Sequence, residues 1–461
     1  MNAVSNGEEA RSAREVALDV LIRVERDQSY SNLLLDKALH DQALKRSDAA
    51  LATELVYGTI QRLNTIDYFL EKFVHNGIRH LQPWVRCLLR LSFYQLLYLD
   101  RIPAHAAVHE AVNIAKKRGR GGGTAGLVNA VLRNALRHPE RLEVPAEGPP
   151  VRRIALKHSH PEWLVARWMR QYGEETAEAI CAANNLPPRG SVRANAMRTS
   201  REQLVERLRA DGLDASPSPL APSGIIVQRG GNLARTRWYR EGELSIQDES
   251  SMLVAEIVAP LPGMRVLDCC AAPGGKATHM AEMMRDAGEI CAVDLHAHKV
   301  KLIEEQARRL NLSCIRAIAC DARQLPDRFA PQSFDRILLD APCSGFGVIR
   351  RKPELKWRKS EADITALSAL QQDLLRRVGK LLKPGGALVY STCTIEREEN
   401  ESVVEAFVRE HPEFVIDRTD FPQLPDPVRA SLAQRGMVQI LPSDYGSDGF
   451  FIARLRRRGE L

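Results

Sequence analysis

The stretch that most constrains the fold is MRVLDCCAAPGGKATH at residues 264–279, where a short apolar run ends in a glycine-rich bend. Val266 and Leu267 fit a buried parallel strand, and the Pro-Gly-Gly at 273–275 makes a bend with almost no side-chain bulk. A helix that begins near Lys276 would point its positive end at a ligand lying on that bend. An ordinary strand-to-helix turn is the alternative, because a Gly-Gly pair alone is weak evidence.

Strands and helices alternate on both sides of this bend. The predicted strands are 265–270, 289–295, 314–320, 335–342 and 386–394, with helices from 276, over 297–311 and over 362–382, and a last edge strand at 449–456. Such alternation is typical of a parallel, doubly wound sheet that binds ligands at the carboxyl ends of its strands. We therefore predict an α/β, Rossmann-like domain.

The preceding residues predict two further domains. Residues 11–140 show helical periodicity throughout and no alternating strand, which indicates an all-α domain. After the linker at 141–150 come two predicted amphipathic helices within 160–184, then a small α+β unit with a strand, a capped turn and a helix at 191–212 and a strand at 224–228. The predicted domains are residues 1–145, 146–240 and 241–461.

Positive charge is clustered in the chain, whose formal net charge is +7 over 461 residues. The clusters are KKRGR at 116–120, VRR at 151–153, RRKPELKWRK at 350–359 and RLRRR at 454–458. Each alone suits a solvated surface, but four together favour a polyanionic partner such as nucleic acid.

The glycine-rich loop KRGRGGG at 117–123 is either a phosphate contact or a connector. Residues 350–357, with Trp357, would grip a splayed-out nucleotide or form a surface loop.

The cysteines and the apolar runs indicate the compartment. Nine cysteines without a C-x-x-C or a paired zinc spacing favour a reduced compartment and no metal site. The apolar runs are too short for a bilayer, and the first 25 residues contain acidic side chains, unlike a targeting peptide. We expect a cytoplasmic protein without a membrane partner.

Acidic side chains follow successive predicted strands, at Asp268, Asp294, Asp321 and Asp340. One such Asp usually caps the next helix, but four together describe the rim of a binding site. Asp294 lies about 20 residues after the bend, where a carboxylate accepts hydrogen bonds from ribose hydroxyls. Since G-x-G-x-x-G is absent, a nucleoside with a non-phosphate tail fits better than a dinucleotide, and S-adenosylmethionine is the common example. Asp321 would then meet the adenine edge.

Two cysteines are predicted to share this rim. Cys343 in DAPCSGFG and Cys393 in YSTCT each follow a strand, in what should be neighbouring sheet positions. Buried cysteines are mostly inert, and that role is expected for Cys87, Cys181, Cys291, Cys314 and Cys320. A thiolate that adds to C6 of a cytosine activates C5 toward a sulfonium methyl group. Asp340 is placed to bind N3 and the exocyclic amine of such a ring.

These motifs resemble those of a known family. LDCCAAPGGK, AVDL, CDAR, LLDAPCSGFGVIRRKPELKW, YSTCTIEREENE and DGFFIARL are similar to the Nop2/Sun class of RNA cytosine-C5 methyltransferases. SAREVALDVLIRV, LATELVYGTIQRLNTIDYFL and GLVNAVLRN resemble the NusB-type RNA-binding domain, and 191–228 resembles the small RRM-like module of RNA methyltransferases. The whole chain is similar to the bacterial Sun/RsmB (Fmu) family, which methylates 16S ribosomal RNA.

The resemblance implies roles for individual residues. Cys393 would be the nucleophile and Cys343 would assist product release, while Lys276 and Asp340 would reach the base. The residues implied for the S-adenosylmethionine site are Cys270, Ala271, Ala272, Pro273, Gly274, Gly275, Lys276, Asp294, Asp321 and Asp340. Ala277 and Phe346 stand where Thr is common, so fine substrate selectivity is not carried over.

The substrate implied by the resemblance is a 16S rRNA cytosine of the cytosine-967 class, methylated by a monomer through a covalent Cys–C6 intermediate. Three matters stay open at the level of sequence. Naked RNA and an assembly intermediate are both possible substrates. The same chemistry would serve on tRNA or DNA. A binding module with an inactive sheet is a further alternative, although an inactive scaffold needs neither thiol.

Overall fold

The computed structural model describes residues 11–27, 29–42, 44–119, 123–228 and 230–459, and it divides into two compact units. The first unit contains the described residues up to Leu186 and the segment Ile349–Arg358. The second unit contains Pro187–Val348 and the described residues from Lys359 onward. The segment predicted as one domain at 146–240 is thus divided between the two units at Leu186, and the three-domain boundaries stay a prediction.

The first unit is built from helices, and those within residues 13–137 pack their apolar faces into one core. Leu18, Leu55 and Leu88, on three different helices, are completely buried in it. The helices are α1 (Ala13–Asp27), α2 (Ser31–Asp41), α3 (Arg46–Gln61), α4 (Leu63–Leu70), α5 (Pro83–Tyr98), α6 (Ala104–Arg118), α7 (Gly123–Arg137), α8 (Pro150–His158), α9 (Glu162–Tyr172) and α10 (Glu174–Asn184). The all-helical prediction for 11–140 is confirmed. Beyond it lie three helices rather than two, because Pro150 in the predicted linker starts α8, a position that proline favours.

The basic segment at 349–358 packs inside this helical unit. The Glu354 carboxylate accepts hydrogen bonds from the backbone N–H of Ser31 at 2.9 Å and from its hydroxyl at 3.0 Å. Trp357 packs against the helical core, and its indole N–H donates to the Ile60 carbonyl at 2.8 Å. Lys356 is completely buried, which lowers its pKa well below the ordinary value. The prediction that Trp357 stacks on a nucleotide is therefore wrong, because its ring and its donor are already used.

The other basic clusters are also partly internal. Arg454 in RLRRR is 6% exposed and donates from Nε to Asp417 at 2.8 Å. Arg153 in VRR forms an ion pair with Glu174 at 2.7 Å. Residues 120–122 of the loop KRGRGGG lie outside the described residues. Clusters read from the sequence thus overstate the charge available to a polyanion.

The second unit begins with a small antiparallel sheet of order β2-β3-β1-β4. At the predicted capped turn, Ser200 and Gln203 form a reciprocal capping pair at the start of the helix packed on this sheet. The elements are β1 (Gly190–Ala194), α11 (Arg201–Ala210), β2 (Asp214–Pro217), β3 (Gly224–Gln228), α12 (Arg237–Arg240) and β4 (Leu244–Ile246). This confirms the predicted α+β module.

A larger sheet of order β10-β12-β9-β8-β5-β6-β7 carries the rest of the unit, with β11 also paired to β12. The pairs that join β7, β6, β5, β8 and β9 are parallel, as predicted. The strands are β5 (Arg265–Asp268), β6 (Glu289–Asp294), β7 (Ile315–Ala319), β8 (Phe334–Asp340), β9 (Leu382–Thr392), β10 (Phe414–Ile416), β11 (Met437–Ile440) and β12 (Phe450–Arg457). The helices after β4 are α13 (Glu249–Val258), α14 (Gly275–Met283), α15 (Ala297–Leu310), α16 (Leu325–Arg328), α17 (Leu355–Arg358, in the first unit), α18 (Glu361–Gly379), α19 (Glu401–Glu410) and α20 (Asp426–Arg435).

The strand predicted as the last edge strand, β12, is not at the edge. One side of β12 pairs antiparallel with β9, and its other side is covered by two short strands. β11 pairs with Phe450–Ala453, and β10 pairs with Leu455–Arg457. Together they satisfy backbone groups that a long edge strand would leave open to pairing with another chain.

Within the described residues, no helix combines the length and the apolar character needed to cross a membrane.

We predict that Glu354→Ala loosens the start of α2. Removing the carboxylate leaves the buried Ser31 N–H and hydroxyl without their acceptor. The expected cost is about 1–3 kcal/mol in the free energy of local opening. Hydrogen exchange of the Ser31–Leu35 amides measures it. The control is Asp36→Ala, which removes an exposed carboxylate from the same helix. Equal protection of these amides in wild type and Glu354→Ala would contradict the prediction.

Candidate active site

The glycine-rich bend connects β5 to α14 at the carboxyl end of the sheet. Gly274 has φ +104°, and its N–H donates to the Ala271 carbonyl at 2.7 Å. A Cβ at position 274 would lie 3.2 Å from the Cα of Ile303, so the positive φ and this close approach both favour glycine. The helix begins at Gly275, one residue before the predicted start, and Lys276 lies in its first turn. The backbone of the bend is therefore open to close approach by a ligand.

Asp294 ends β6 and Asp321 follows β7, and the two carboxylates differ in their hydrogen-bonding partners. Asp294 is 7% exposed, and its Oδ1 accepts from the His296 N–H at 3.1 Å, which leaves Oδ2 available. Asp321 caps a short helix by accepting from the Arg323 N–H at 2.9 Å. The Arg323 guanidinium also binds Asp321 at 2.6 Å and lowers the pKa of that carboxyl. Asp321 thus performs the capping role that any single strand-end Asp favours.

Asp268, the last residue of β5, is a buried carboxylate without a hydrogen-bonding partner. It is completely buried, and neither of its oxygens is hydrogen-bonded among the described residues. Burial and the neighbouring Asp340 raise the pKa of Asp268 to about 7. A buried acid in this state is costly to ionise unless a cation lies beside it. Its position directly before the bend therefore fits a cationic ligand.

Lys276 and Asp340 form an ion pair at the centre of the rim. Lys276 Nζ lies 2.7 Å from Asp340 Oδ2, and the Ser391 hydroxyl donates to Asp340 Oδ1 at 2.7 Å. Burial opposes the charge of Lys276, but Asp340 and then Cys393 outweigh it and raise the pKa of the lysine. The ammonium is therefore held charged between a carboxylate and a thiol.

The two predicted thiols are in contact. Cys343 Sγ and Cys393 Sγ lie 3.3 Å apart, and both side chains are partly exposed. The parallel register of β8 and β9 pairs Asp340 with Ser391, so the loops that follow them leave the sheet side by side. The hydrogen bond with Cys393, and then burial, raises the pKa of Cys343 well above the ordinary value. Either sulfur can donate the hydrogen bond within the pair, and the raised pKa of Cys343 favours its protonated form.

Two glycines allow the backbone to approach Cys393 closely. The Gly347 N–H donates to the Cys393 carbonyl at 3.0 Å, and the Gly449 N–H donates to the Gly347 carbonyl at 2.8 Å. A Cβ at Gly347 would lie only 2.0 Å from the Gly449 carbonyl oxygen. Phe346, where Thr is common in the related family, is completely buried. The Cys343 loop is therefore bonded to the Cys393 loop through main-chain atoms.

Sequence reasoning missed a set of buried polar residues around the thiols. Glu399 accepts from the Ser344 N–H at 2.9 Å, and Asn400 donates to the Thr394 carbonyl at 3.1 Å. The available signal was EREENE at 396–401, a polar run that begins three residues after Cys393 and in which Glu396, Glu399 and Asn400 are completely buried.

The remaining cysteines occupy positions that suit an inert role. Cys87, Cys181, Cys291, Cys314 and Cys320 are buried, as predicted. Burial raises the pKa of Cys181, Cys291 and Cys314 to about 12. Within the part of the chain that the structure describes, no group of His, Cys, Asp and Glu is placed to hold a metal ion.

Family profiles match the chain in three consecutive parts. Residues 11–137 match the NusB family, residues 160–234 match the ferredoxin-like domain of RsmF/B-like methyltransferases, and residues 255–456 match the 16S rRNA methyltransferase RsmB/F family. A probable ribosomal RNA small subunit methyltransferase B of Bacillus subtilis (strain 168) is 47% identical, over 97% of this chain and 99% of that protein. The chain belongs to the ribosomal RNA small subunit methyltransferase B family. A probable methyltransferase B of Synechocystis sp. is 35% identical over the same shares.

A solved structure supports the fold of the methyltransferase B chain. The crystal structure of the protein PH0851 covers 97% of this chain and 100% of its own, with a TM-score of 0.80 and 26% identity. The predicted fold class, an all-α NusB-like domain, a small α+β module and a Rossmann-like domain, is confirmed. Family membership also makes the chain an S-adenosylmethionine-dependent rRNA methyltransferase, so the predicted enzyme class is confirmed.

The residues at the rim fit S-adenosylmethionine. That cofactor carries an ammonium and a sulfonium charge, ribose hydroxyls and an adenine. The structure offers Asp268 with two unused oxygens, Asp294 with one, and a glycine bend in which a Cβ at Gly275 would have, in the described part of the chain, only the Gln247 side chain within 4 Å. The individual roles of the predicted site residues remain predictions.

We predict that Asp268→Asn stabilises the protein increasingly as the pH rises. In wild type the folded-state pKa near 7 exceeds the unfolded value of about 3.9, so the folded protein binds a proton that the unfolded chain has lost. This contribution to stability is complete below about pH 4 and disappears as the pH rises through 7. The stability gained by Asp268→Asn should grow by roughly 1.4 kcal/mol per unit between about pH 5 and 7.

Denaturant unfolding without added cofactor, at several pH values, measures this difference. Asp327→Asn is the control, because Asp327 is exposed in the same domain. A difference between Asp268→Asn and wild type that does not change with pH would show that Asp268 is not titrating in a buried site.

Proposed function

We propose that this enzyme transfers a methyl group from S-adenosylmethionine to C5 of a cytosine in 16S rRNA, of the cytosine-967 class, through a covalent bond from Cys393 to C6. The observation that carries the proposal is the contact of two thiols, 3.3 Å apart, next to the Lys276–Asp340 ion pair. Cytosine C5 is a weak nucleophile until C6 is attacked, and a thiol at this rim supplies the attack.

The asymmetry between the thiols supports Cys393 as the nucleophile. The contact with Cys393 and burial raise the pKa of Cys343, which favours the protonated form of that thiol. A thiolate at Cys393 would accept a hydrogen bond from it, since the two sulfurs lie 3.3 Å apart. The Lys276 ammonium, whose own pKa Cys393 helps to raise, stabilises that thiolate in return. Cys393 therefore attacks C6.

Asp340 and Lys276 orient the base. Asp340 accepts hydrogen bonds from Lys276 and Ser391 at 2.7 Å each, so its position is fixed before a substrate arrives. From there the Asp340 carboxylate accepts from the exocyclic amine of the cytosine, and the Lys276 ammonium faces N3, where negative charge develops when C6 is attacked. Both residues thus stabilise the adduct rather than the free base.

The remaining rim residues hold the cofactor. S-adenosylmethionine, when bound, supplies the electrophilic methyl group. The bend from Cys270 to Lys276 receives its methionine portion, Asp294 accepts from the ribose hydroxyls, and Asp321 meets the adenine edge. Asp268 supports the same assignment, because its two unused oxygens suit the cationic portion.

Release of the product needs the second thiol. After methyl transfer, a base accepts the C5 proton, the electrons of that C–H bond form the C5–C6 double bond, and the bond between Cys393 and C6 breaks with its electrons going to the sulfur. Cys343, in contact with the Cys393 sulfur, is placed to return a proton to that sulfur as it departs. This agrees with the release role that the family resemblance implies for Cys343.

The substrate class follows from the family and the domains. The matched relatives are named ribosomal RNA small subunit methyltransferase B, and residues 11–137 match the NusB family. An unpaired cytosine is the expected target, since extruding a paired base costs a few kcal/mol. We propose that the enzyme acts as a monomer, on naked RNA or on an assembly intermediate.

We predict that removing each thiol blocks a different step of the reaction. Cys393→Ala should form no covalent RNA adduct, because no thiolate attacks C6. Cys343→Ala should accumulate the adduct, because release is blocked while attack continues. Denaturing gels of enzyme incubated with 16S rRNA transcripts and cofactor measure both outcomes. Cys181→Ala, a buried thiol of the first unit, is the control and should behave as wild type.

Two results would overturn the proposal. Transcripts whose cytosines are tritiated at C5 should release tritium when incubated with the wild-type enzyme. The absence of release from both naked and partly assembled small-subunit RNA would reject the proposed methylation at cytosine C5. Adducts formed by Cys393→Ala but not by Cys343→Ala would reverse the assignment of the two thiols. Equal release from tRNA or DNA would instead widen the substrate class.

A further inference from the structure

Two consecutive residues behind the thiols, Glu399 and Asn400, have no role in the proposed reaction and yet are completely buried. They follow the Cys393 loop, and Asn400 precedes the first turn of α19. Neither residue belongs to the proposed cofactor-binding or cytosine-binding residues. Each side chain instead bonds to one of the two loops that carry the thiols.

Glu399 binds the Cys343 loop. Its carboxylate accepts from the Ser344 N–H at 2.9 Å and from the Ser344 hydroxyl at 2.5 Å. Gln371 on α18 donates to the same carboxylate at 3.0 Å and also to the Pro342 carbonyl at 2.9 Å. The residues on both sides of Cys343 are therefore held, one by Glu399 directly and the other through Gln371.

Asn400 binds the Cys393 loop. Its Oδ1 accepts from the Thr392 hydroxyl at 2.5 Å, and its Nδ2 donates to the Thr394 carbonyl at 3.1 Å. Thr392 and Thr394 are the two neighbours of Cys393 in the chain. A third bond, from Nδ2 to Gln439 Oε1 at 2.9 Å, ties the amide to β11. One side chain thus fixes the backbone on both sides of Cys393.

The two halves are joined across the loops. The Ser344 and Thr394 hydroxyls lie 2.8 Å apart, and the Tyr390 hydroxyl donates to the Glu399 carbonyl at 2.6 Å. We call Ser344, Thr392, Thr394, Glu399 and Asn400 the thiol-loop network. Because every member is buried, water does not compete for its hydrogen bonds.

The cost of this network argues that it does more than fill space. Glu399 forms no ion pair among the described residues, and its burial raises the pKa of the carboxyl despite the bonds from Ser344 and Gln371. Apolar residues of similar size would stabilise a fold at least as well as a buried carboxylate. What apolar contacts do not supply is directional bonds that fix a loop to within a fraction of an ångström.

We propose that Glu399 and Asn400 are positioning residues that set the geometry of the thiol pair, Glu399 for Cys343 and Asn400 for Cys393. The proposal rests on the proposed function for its kinetic consequences. Displacement of Cys343 should slow release of the adduct, whereas displacement of Cys393 should slow its formation. The two residues are neighbours in sequence but should give opposite defects.

The test uses conservative variants on both sides of each contact in the full-length protein. Glu399→Gln and Ser344→Ala weaken the Cys343 half, and Asn400→Asp and Thr392→Val weaken the Cys393 half. The partner-side variants Ser344→Ala and Thr392→Val cover the case in which a change at 399 or 400 prevents folding. Ser368→Ala is the control, because the Ser368 hydroxyl bonds the carbonyl of Glu398 without touching either thiol loop.

Single-turnover reactions with 16S rRNA and S-adenosylmethionine separate the two halves. Variants of the Cys343 half should accumulate adduct, and variants of the Cys393 half should form it about tenfold more slowly or worse. Cofactor affinity, measured by calorimetry, should change less than about twofold, since the bend at 270–276 is untouched. Equal adduct kinetics in all variants and the control would overturn the proposal, and so would the same defect in both halves.

A second measurement distinguishes failure of this proposal from failure of the proposed function. Dibromobimane becomes fluorescent when it links two nearby thiols, and it needs neither RNA nor cofactor. The Cys343–Cys393 link, mapped by peptide mass spectrometry, should form efficiently in wild type and Ser368→Ala and several-fold less in the network variants. Reduced linking without any adduct in wild type would reject the reaction but retain the positioning role. Unchanged linking would reject the positioning role itself.

Discussion

The active site depends on the register between β8 and β9. Parallel pairing sets Asp340 opposite Ser391, and the Ser391 hydroxyl donates to the Asp340 carboxylate at that point. A shift by one residue would turn these side chains to opposite faces of the sheet. Because both strands end at the same edge, Cys343 and Cys393 follow within three residues and their sulfurs meet. The contact between the thiols is thus a consequence of strand pairing in the buried centre of the sheet.

At this edge of the sheet, the position of each carboxylate decides whether it has an ion-pair partner. Lys276 neutralises Asp340, whereas Asp268 has no such partner and its pKa is raised to about 7. The contact between the thiols follows the same logic, since two adjacent thiolates would repel, and it raises the pKa of Cys343. A cationic cofactor beside Asp268 would likewise favour the ionised form of that carboxyl.

The fold was predictable from sequence to the extent that burial determines it. Continuous apolar runs such as β6 predicted buried parallel strands, and the acidic residues that follow these runs predicted the rim of the binding site. Side-chain partners far along the chain were not predictable. Position next to Cys343 suggested that Trp357 faces the substrate, but its packing against the helical core and its bond to Ile60 decide otherwise. Likewise β12 is covered by two strands too short to be recognised from periodicity.

The thiol-loop network shows why a methyltransferase of this kind retains buried polar side chains. In the covalent reaction proposed above, the two sulfurs must lie close enough to share a proton, yet one of them must be free to bond to carbon. Main-chain bonds through Gly347 set the distance between the loops, but they leave the side-chain rotation of each cysteine undetermined. Bonds from Glu399 and Asn400 to the residues beside each cysteine restrict the backbone from which that rotation starts. A site held only by apolar packing would keep the loops near each other without fixing either sulfur.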